Sequence, residues 1–404
     1  MNTKYNAIMC RYHEIAIKGN NRGMFEKVMM DNLRYLLKDI KNLEVFKVRG
    51  RIWCSLADKK CFSENEVMVI KEQMKKAFGL ESYSLVIMVD STFEAILEAI
   101  KDSEEKIFAR HFNNKKKVTY RIRARRGDKK FPLRSREIEI EVASYIGKKY
   151  DGKPLTVNLE DTASITIGIE VRENWSFVFY EQLPCPGGLP VGSNSPVLAL
   201  LSGGIDSPVA CYMMMKRGCN VEYLTFHSRP YTPQETEDKI YGIGRYLNTF
   251  QKPKRIFSCN LAPLQKAFRD QCRDRFRTIL YRRAMLRIAN LVAKKYRQYA
   301  LVTGDSVGQV ASQTVVNMNT INSVSDFVVL RPLVGMDKNE AIEIARNIGT
   351  FELSSNQVPD SCSVFQPSNV ATKAFKEDLE AEEARVENLD ELIKEAVDGI
   401  EIYY

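Results

Sequence analysis

The residues best suited to chemistry are six in a row, Ser202-Gly203-Gly204-Ile205-Asp206-Ser207. They combine two hydroxyls, one carboxylate and two glycines. Glycine lacks the Cβ that would keep a ligand away from the backbone N–H groups. Where such a turn opens a helix, those N–H groups and the helix dipole favour an anion. This combination of residue types predicts a site for a polyphosphate, whereas an ordinary turn with two glycines is the alternative.

A strand and a helix must position these residues. The apolar run Val197–Leu201 is typical of a buried parallel strand. The stretch from Pro208 to Gly218 predicts a helix that begins at the proline and is followed by the glycine. No lysine precedes a Ser or Thr as a Walker loop requires. The shorter loop resembles the PP-loop of ATP pyrophosphatases, which implies cleavage of ATP between its α and β phosphates and adenylation of a substrate oxygen.

Asp206 would repel a bare phosphate, so we interpret it as a ligand of Mg²⁺ that bridges the phosphates. An N-cap to the helix that begins at Pro208 is the alternative, and the two roles are compatible.

Two later stretches hold further candidates. Thr303–Thr314 follows a predicted strand and opens with glycine, so we expect it at the same sheet edge as Ser202–Ser207. Pro359–Pro367 carries Cys362 in a non-helical stretch between prolines and small polar residues. A cysteine in a loop is reachable, as a sulfur carrier requires. On the residues alone, a packing role for Cys362 is an equal alternative.

A basic run in the first half of the chain predicts a polyanionic partner. Residues 101–150 hold sixteen Lys/Arg against seven Asp/Glu, and this excess of nine equals the net charge of the whole chain. The density of arginine, together with Phe131, favours contact with nucleic-acid phosphates over a merely solvated face. The basic candidates are Arg121, Arg123, Arg125, Arg126, Lys129, Lys130 and Arg134.

Composition narrows the class of protein. The 404 residues are 44% hydrophobic and 27% charged, which is typical of a globular protein of two or three domains. Nine cysteines without a Cys-x-x-Cys pair argue against a disulfide framework and against thiolate metal sites. The sequence shows neither a membrane-spanning run nor a secretory leader, so we expect a cytoplasmic protein with no membrane partner.

The order of predicted elements divides the chain. A βαββα pattern in residues 1–78 predicts a ferredoxin-like α+β domain, and a mixed block follows in residues 79–182. The proline- and glycine-rich residues 183–192 predict a linker. Strands and helices alternate in residues 193–404, which predicts an α/β domain with a doubly wound parallel sheet. Capping boxes are predicted at Thr232–Glu235 and Asp337–Glu340, and the acidic residues 376–404 suggest a solvated helix.

These motifs together resemble the tRNA uridine 4-sulfurtransferase family (ThiI) along nearly the whole chain. Arg11–Arg22 resembles the family's opening motif, Arg125–Pro132 its THUMP domain, and Pro184–Gly192 the start of its ATP domain. The PP-loop, Phe226-His227-Ser228, Thr303–Thr314 and Arg331-Pro332-Leu333 follow in the family's order. The resemblance implies a ferredoxin-like domain and a THUMP domain that recognise tRNA, ahead of a PP-loop domain. That domain adenylates O4 of uridine 8, and persulfide sulfur then displaces AMP to leave 4-thiouridine.

The resemblance also implies roles for single residues. The seven basic candidates would contact tRNA, and Cys362 falls at the family's essential cysteine. The implied cofactors are ATP and Mg²⁺. The implied ATP contacts are Leu200, Leu201, Ser202, Gly203, Gly204, Asp206, Ser207, Thr225, Phe226, Arg282, Gly304 and Gln313.

Some members of the family carry a C-terminal rhodanese domain that bears the persulfide. This chain ends at Tyr404, so we expect sulfur to arrive from a cysteine desulfurase that acts on the protein directly. The family's second role, sulfur transfer for the thiazole of thiamine, relies on that domain in the members that have it, so this role stays open here. A second copy of the chain is a candidate partner. Two alternatives stay open, another PP-loop tRNA-modifying ligase and a tRNA-binding protein with an inactive nucleotide site.

Overall fold

The computed structural model describes residues 4–48, 50–58, 60–114, 117–356, 358, 364–365, 367 and 369–404. The chain folds as two compact units, residues 1–188 and 189–404. The fold class predicted from the sequence is confirmed. In the part of the chain that is described, no helix is both long and apolar enough to cross a membrane.

The first unit is built on one mixed sheet. Its strands are β1 (Ala7–Arg11), β2 (Leu43–Val48), β3 (Arg51–Leu56), β4 (Ser82–Asp90), β5 (Val118–Arg126), β6 (Leu155–Val157), β7 (Ile165–Val171), β8 (Trp175–Phe179) and β9 (Leu183–Pro184). Its helices are α1 (Arg22–Leu36), α2 (Glu64–Met74), α3 (Phe93–Asn114) and α4 (Ser135–Lys149). The strand order is β2-β3-β1-β4-β8-β7-β5-β6, and β9 pairs with β4.

Strand β4 belongs to both halves of this sheet. Its first residues pair with β1, so that Ala7 lies opposite Val86. Its last residues pair with β8, so that Ile87 lies opposite Val178. The ferredoxin-like half and the following half are therefore joined through one continuous strand. This strand begins at Ser82, four residues after residue 78, where the sequence predicts the first domain to end.

The second unit carries the predicted α/β sheet. Its strands are β10 (Leu189–Leu200), β11 (Arg217–His227), β12 (Ile256–Asn260), β13 (Leu301–Val302), β14 (Val329–Leu330) and β15 (Glu401–Tyr403). Its helices are α5 (Asp206–Lys216), α6 (Gln234–Leu247), α7 (Ala262–Gln271), α8 (Arg277–Lys295), α9 (Val315–Asn322), α10 (Lys338–Ile348), α11 (Phe351–Ser355), α12 (Lys376–Glu383) and α13 (Leu389–Asp398). The strand order is β14-β13-β10-β11-β12-β15; the first five are parallel, and β15 is antiparallel.

Helix starts were predicted with mixed success. The capping box at Asp337 is confirmed, because its carboxylate accepts from the N–H groups of Asn339 and Glu340. The box predicted at Thr232 is wrong, since Pro233 occupies the N-cap of α6 and no side chain caps that helix. Helix α5 begins at Asp206, two residues before Pro208. Pro208 still lies within the first turn, where its missing N–H has no partner to lose.

Two stretches predicted as irregular or solvated are ordered. In the predicted linker, β9 pairs with β4 and β10 begins at Leu189. The acidic C-terminal stretch packs against α8: Leu379 and Ile393 are buried, and Glu383 forms ion pairs with two arginines of that helix. The apolar positions of α12 and α13 and the buried carboxylates explain why this stretch does not stay in solvent.

Candidate nucleotide site and basic strand

A cavity of about 510 Å³ lies at the carboxyl ends of the parallel strands of the second unit. In the sheet β10 lies beside β13, so the turns that follow them meet at one edge. This is the edge at which open α/β sheets bind ligands. The predicted ATP contacts that line the cavity are Leu200, Ser202, Gly204, Asp206, Ser207, Arg282, Gly304 and Gln313.

The Ser202–Ser207 loop is closed by its own serines. The Ser207 hydroxyl accepts from the Ser202 N–H at 2.9 Å and lies 3.0 Å from the Ser202 hydroxyl. The Ser202 hydroxyl also accepts from the Gly204 N–H at 3.3 Å. Ser207 thus shapes the turn, while Ser202 remains half-buried at the cavity wall.

Gly304 brings the turn after β13 against this loop. A Cβ at position 304 would lie 2.7 Å from the Ser207 nitrogen and 2.8 Å from the Asp206 carbonyl carbon. Both neighbours are backbone atoms, so neither can turn aside. Only glycine permits this approach, which places residues 303–305 beside the N-terminus of α5.

The Asp206 carboxylate faces two donors from other segments. Lys338 Nζ lies 2.8 and 2.9 Å from its two oxygens, and Gln309 Nε2 donates to Oδ2 at 2.8 Å. The N-cap of α5 is Ile205, so the alternative of Asp206 as a helix cap is not observed. Asp206 is instead the first helical residue, and its carboxylate is bonded to Lys338 and Gln309.

Sequence reasoning missed a second carboxylate in the cavity wall. Asp305 is 5% exposed and accepts hydrogen bonds from Arg282, Thr303, Gln313 and Arg331. Burial alone would raise the pKa of its carboxyl. The Arg282 charge, the Thr303 hydrogen bond and the Arg331 charge together outweigh burial and lower that pKa. The sequence offered one indication of a site role for Asp305: it comes directly after Gly304, in the turn that follows a predicted strand.

Four predicted ATP contacts do not line this cavity. Leu201 and Phe226 are buried apolar side chains. A Cβ added at position 203 would lie 3.5 Å from the Lys239 side chain of α6. Thr225 is 1% exposed, and its hydroxyl has no hydrogen-bond partner among the described residues. Their backbone atoms stay near the strand ends, but the structure does not bring these side chains to the cavity.

Among the described residues that line the cavity, two carboxylates could serve Mg²⁺, Asp206 and Asp305. No cluster of three or more metal-ligating side chains occurs among the described residues. Asp305 accepts from four donors. Asp206 accepts only from the ends of two long side chains, Lys338 and Gln309, so of these two carboxylates it is the one that an ion can reach by displacing them. Mg²⁺ is commonly held by one or two carboxylates plus substrate phosphates, and this single carboxylate beside a phosphate loop suits that mode.

Cys362, the predicted sulfur carrier, lies outside the described residues. The described residues on either side of its stretch are bonded to the rest of the second unit. Before it, Lys239 Nζ donates to the carbonyls of Ser354 at 2.8 Å and Asn356 at 2.7 Å. After it, the Phe365 ring packs against Tyr231 and under the Arg269 guanidinium, with centroid distances of 4.9 and 4.7 Å. The Phe365 carbonyl accepts from the hydroxyl of Tyr281, which lines the cavity.

In the first unit, the basic candidates lie on β5 and in the turn that follows it. Val118, Tyr120 and Ile122 point into the core, so the alternate positions Arg121, Arg123 and Arg125 lie on the opposite face. The exposed cations are Arg123, Arg125, Lys129, Lys130 and Arg134, whereas Arg121 and Arg126 are half-buried.

Three members of this set are partly engaged. Arg121 pairs with Asp161 and donates to Thr166 Oγ1 at 2.9 Å. Arg126 Nη1 donates to the Phe131 carbonyl at 3.3 Å, and Arg123 donates to the Leu159 carbonyl. Phe131 itself is 5% exposed and belongs to the apolar core. Phe131 was counted in favour of nucleic-acid binding by this run, but its ring packs the turn against the sheet, so the prediction depends on the exposed cations.

Comparison with known proteins agrees with this geometry. Three family profiles match in order: a ThiI ferredoxin-like domain at residues 7–84, a THUMP domain at 94–181, and Thiamine biosynthesis protein (ThiI) at 192–388. A probable tRNA sulfurtransferase of Alkaliphilus oremlandii is 36% identical, with 98% of each chain covered. One of Moorella thermoacetica is 37% identical, with 98% of this chain and 97% of the other covered.

Among solved structures, a 4-thiouridine synthetase in complex with RNA and bound ATP superimposes with a TM-score of 0.88. It is 34% identical, with 99% of each chain covered. The identity to these relatives exceeds 30% over the full length, and all three family profiles match. The Ser202–Ser207 loop also lies at the strand ends, where Gly304 allows a second turn to approach it closely. This chain therefore belongs to the ThiI family of tRNA sulfurtransferases.

Proposed function

We propose that this protein is an ATP-dependent tRNA sulfurtransferase that converts uridine 8 of tRNA to 4-thiouridine. The observation that carries the proposal is the cavity at the strand ends, where the Ser202–Ser207 loop meets Gly304, Arg282 and Gln313. The related 4-thiouridine synthetase was solved with ATP and RNA, which supports both ligands here.

The loop is suited to the triphosphate because its N–H groups open helix α5. Cations stand on the other walls. Arg282 and Arg331 line the cavity, and Lys338 lies beside Asp206. These positive groups offset the negative charge of the triphosphate when ATP is bound.

Asp206 is proposed to hold Mg²⁺ together with the phosphates. Bound there, the ion neutralises charge on the phosphate oxygens. Asp206 now shares its oxygens with Lys338 and Gln309, and both donors end long, flexible side chains. The carboxylate can therefore exchange these partners for an ion without movement of the backbone.

Sulfur is proposed to pass through Cys362. Burial raises the pKa of the four described cysteines of the second unit, Cys211, Cys219, Cys259 and Cys272. Burial likewise raises the pKa of Cys185 to about 12. A thiol with a raised pKa is a poor nucleophile at neutral pH. Phe365 follows Cys362 by three residues, a separation of at most about 11 Å along an extended chain, and it contacts the cavity residue Tyr281.

Recognition of tRNA is assigned to the first half of the chain. The proposed division is a ferredoxin-like domain at 1–78, a THUMP domain at 79–182, a linker at 183–192 and an adenylation domain at 193–404. The seven basic candidates on β5 and in the turn that follows it would contact phosphates. A cysteine desulfurase as sulfur donor, a homodimer and a cytoplasmic location complete the proposal.

The test is a reconstituted reaction of the full chain with tRNA, ATP, Mg²⁺, cysteine and a cysteine desulfurase. We expect pyrophosphate release that depends on tRNA, together with 4-thiouridine at position 8 by mass analysis of the tRNA. Pyrophosphate release with a different modified base would indicate another PP-loop ligase. Binding of tRNA without pyrophosphate release would indicate an inactive nucleotide site.

A further inference from the structure

The Asp305 carboxylate connects four separate segments of the second unit. Oδ1 accepts from Arg282 of α8 and from Gln313 Nε2 at 3.1 Å. Oδ2 accepts from Thr303 Oγ1 at 2.8 Å and from Arg331 Nε at 3.3 Å. An ionised carboxylate offers about four acceptor positions, so these donors saturate it. All four donors line the cavity.

The charge of this cluster does not balance. Two guanidinium groups meet one carboxylate, which leaves one positive charge within the cluster. The other carboxylate of the cavity wall, Asp206, is paired with Lys338. Because the lowered pKa keeps Asp305 ionised at neutral pH, this surplus persists there. An anion in the cavity would complete the cluster.

Helix α8, which carries Arg282, also bonds a carboxylate away from the cavity, and that pair of partners serves only the structure. Glu383 of α12 is 6% exposed and bonds both Arg283 and Arg287 of α8, each through two hydrogen bonds of 2.7–2.9 Å. Arg283 is fully buried, and its Nη1 also donates to the Thr320 carbonyl and to the Ser323 hydroxyl. Four of its five N–H donors are therefore used inside the protein.

Arg282, the neighbour of Arg283 on α8, is different. Its side chain is 20% exposed, and its hydrogen bonds to described residues go to Asp305 and to Ser312 Oγ at 3.3 Å. Three of its five N–H donors make none within the described chain. Successive helix positions point about 100° apart, so one arginine faces the C-terminal helix and the other the cavity.

We propose that Asp305 is a positioning residue of the nucleotide site, which holds Arg282, Arg331 and the Gln313 amide in one arrangement so that Arg282 presents its remaining donors to the nucleotide. Asp305 does not touch the ligand itself. It holds these donors in place before the nucleotide binds, so the binding free energy does not include the entropic cost of ordering them. The inference rests on the proposed ATP site.

The test is calorimetric titration of ATP into the full-length protein, with KM for ATP and kcat measured on tRNA. Asp305→Asn keeps the shape of the side chain but removes its charge. It also replaces one acceptor oxygen by an NH2 group, which would face groups that themselves donate hydrogen bonds. We expect at least a ten-fold weaker ATP affinity and a matching rise in KM, with kcat changed less than three-fold and tRNA affinity less than two-fold. Glu383→Gln is the matched control: we expect a lower Tm and an ATP affinity within two-fold of wild type.

An ATP affinity within two-fold of wild type in folded Asp305→Asn overturns the inference. If that variant does not fold, Asp305→Glu replaces it, because it retains the charge and moves the carboxylate by one methylene. A carboxylate that only neutralises two arginines would tolerate that move, so unchanged ATP affinity again overturns the inference, whereas a loss of three-fold or more supports it. Wild-type protein that binds no ATP would instead overturn the proposed function.

Discussion

The strand-end site of the second unit and the basic strand of the first unit hold charge in opposite ways. At the strand ends the polar groups are buried or half-buried and bonded to one another, as Ser207 is to Ser202 and Asp305 to Arg282. On and after β5, Arg125, Lys129 and Lys130 are exposed. The first arrangement is suited to a ligand of fixed shape, whereas the second suits a polyanion recognised by summed charge. Single substitutions should therefore abolish function in one region and only weaken it in the other.

The largest expected effect is at Cys362. Cys362→Ser should release pyrophosphate with tRNA and ATP yet form no 4-thiouridine, because adenylation needs no thiol and the displacement of AMP does. Pyrophosphate assay and mass analysis of the same reaction separate the two steps. Thiolation at the normal rate would assign sulfur transfer to another residue.

Next is Asp206→Ala, which should slow pyrophosphate release roughly 10³-fold by loss of the charge that holds Mg²⁺ at the phosphates. Its tRNA affinity should stay within two-fold of wild type. Asp161→Ala, which removes an exposed carboxylate beside Arg121, is the control from the other region and should leave pyrophosphate release unchanged. Normal release by Asp206→Ala would refute the role assigned to that residue.

Gly304→Ala tests whether the close approach of two turns forms the site. The added Cβ would meet backbone atoms at 2.7–2.9 Å, so the turn must shift, at a cost of about 1–3 kcal/mol in stability. We expect a lower Tm and at least ten-fold weaker ATP binding by calorimetry. Gly242→Ala in α6, where a Cβ would meet nothing within 4 Å, should leave ATP binding unchanged and should not lower Tm, because alanine favours a helix more than glycine does. Wild-type ATP binding by Gly304→Ala would show that the approach is not needed.

A graded effect is expected in the basic region. Reversing Arg125, Arg126, Lys129 and Lys130 to glutamate should weaken tRNA binding and reduce the slope of log K against log salt by about one unit for each phosphate that the protein no longer neutralises. ATP affinity should not change. The control reverses four exposed lysines of the second unit, Lys216, Lys252, Lys294 and Lys295. Equally weakened tRNA binding in both variants would indicate net charge rather than a binding surface.

The smallest effect is expected at Cys211, which lies in the helix that follows the phosphate loop. It is fully buried, and burial raises the pKa of its thiol. Cys211→Ala should keep thiolation within about two-fold of wild type, measured beside Cys362→Ser. A total loss of 4-thiouridine with normal pyrophosphate release would place Cys211 in the sulfur path.

The sequence by itself predicts those features that depend on residues close together in the chain. The apolar run before Ser202 and the glycines within the loop predict a strand, a turn and a helix N-terminus, and all three are present. The capping box at Asp337 and the alternation of β5 were likewise predictable, because both depend on residues a few positions apart.

Tertiary structure decided everything that depends on distant residues. The Asp305 carboxylate accepts four hydrogen bonds because α8, β13, β14 and the 311–313 turn lie together at one sheet edge. The spacing of these residues along the chain does not predict that they lie together. The acidic C-terminal stretch folds onto α8 because its apolar positions and Glu383 find partners about a hundred residues earlier in the chain. Phe131 lies in a basic run yet packs in the core, since burial depends on what the sheet places opposite it.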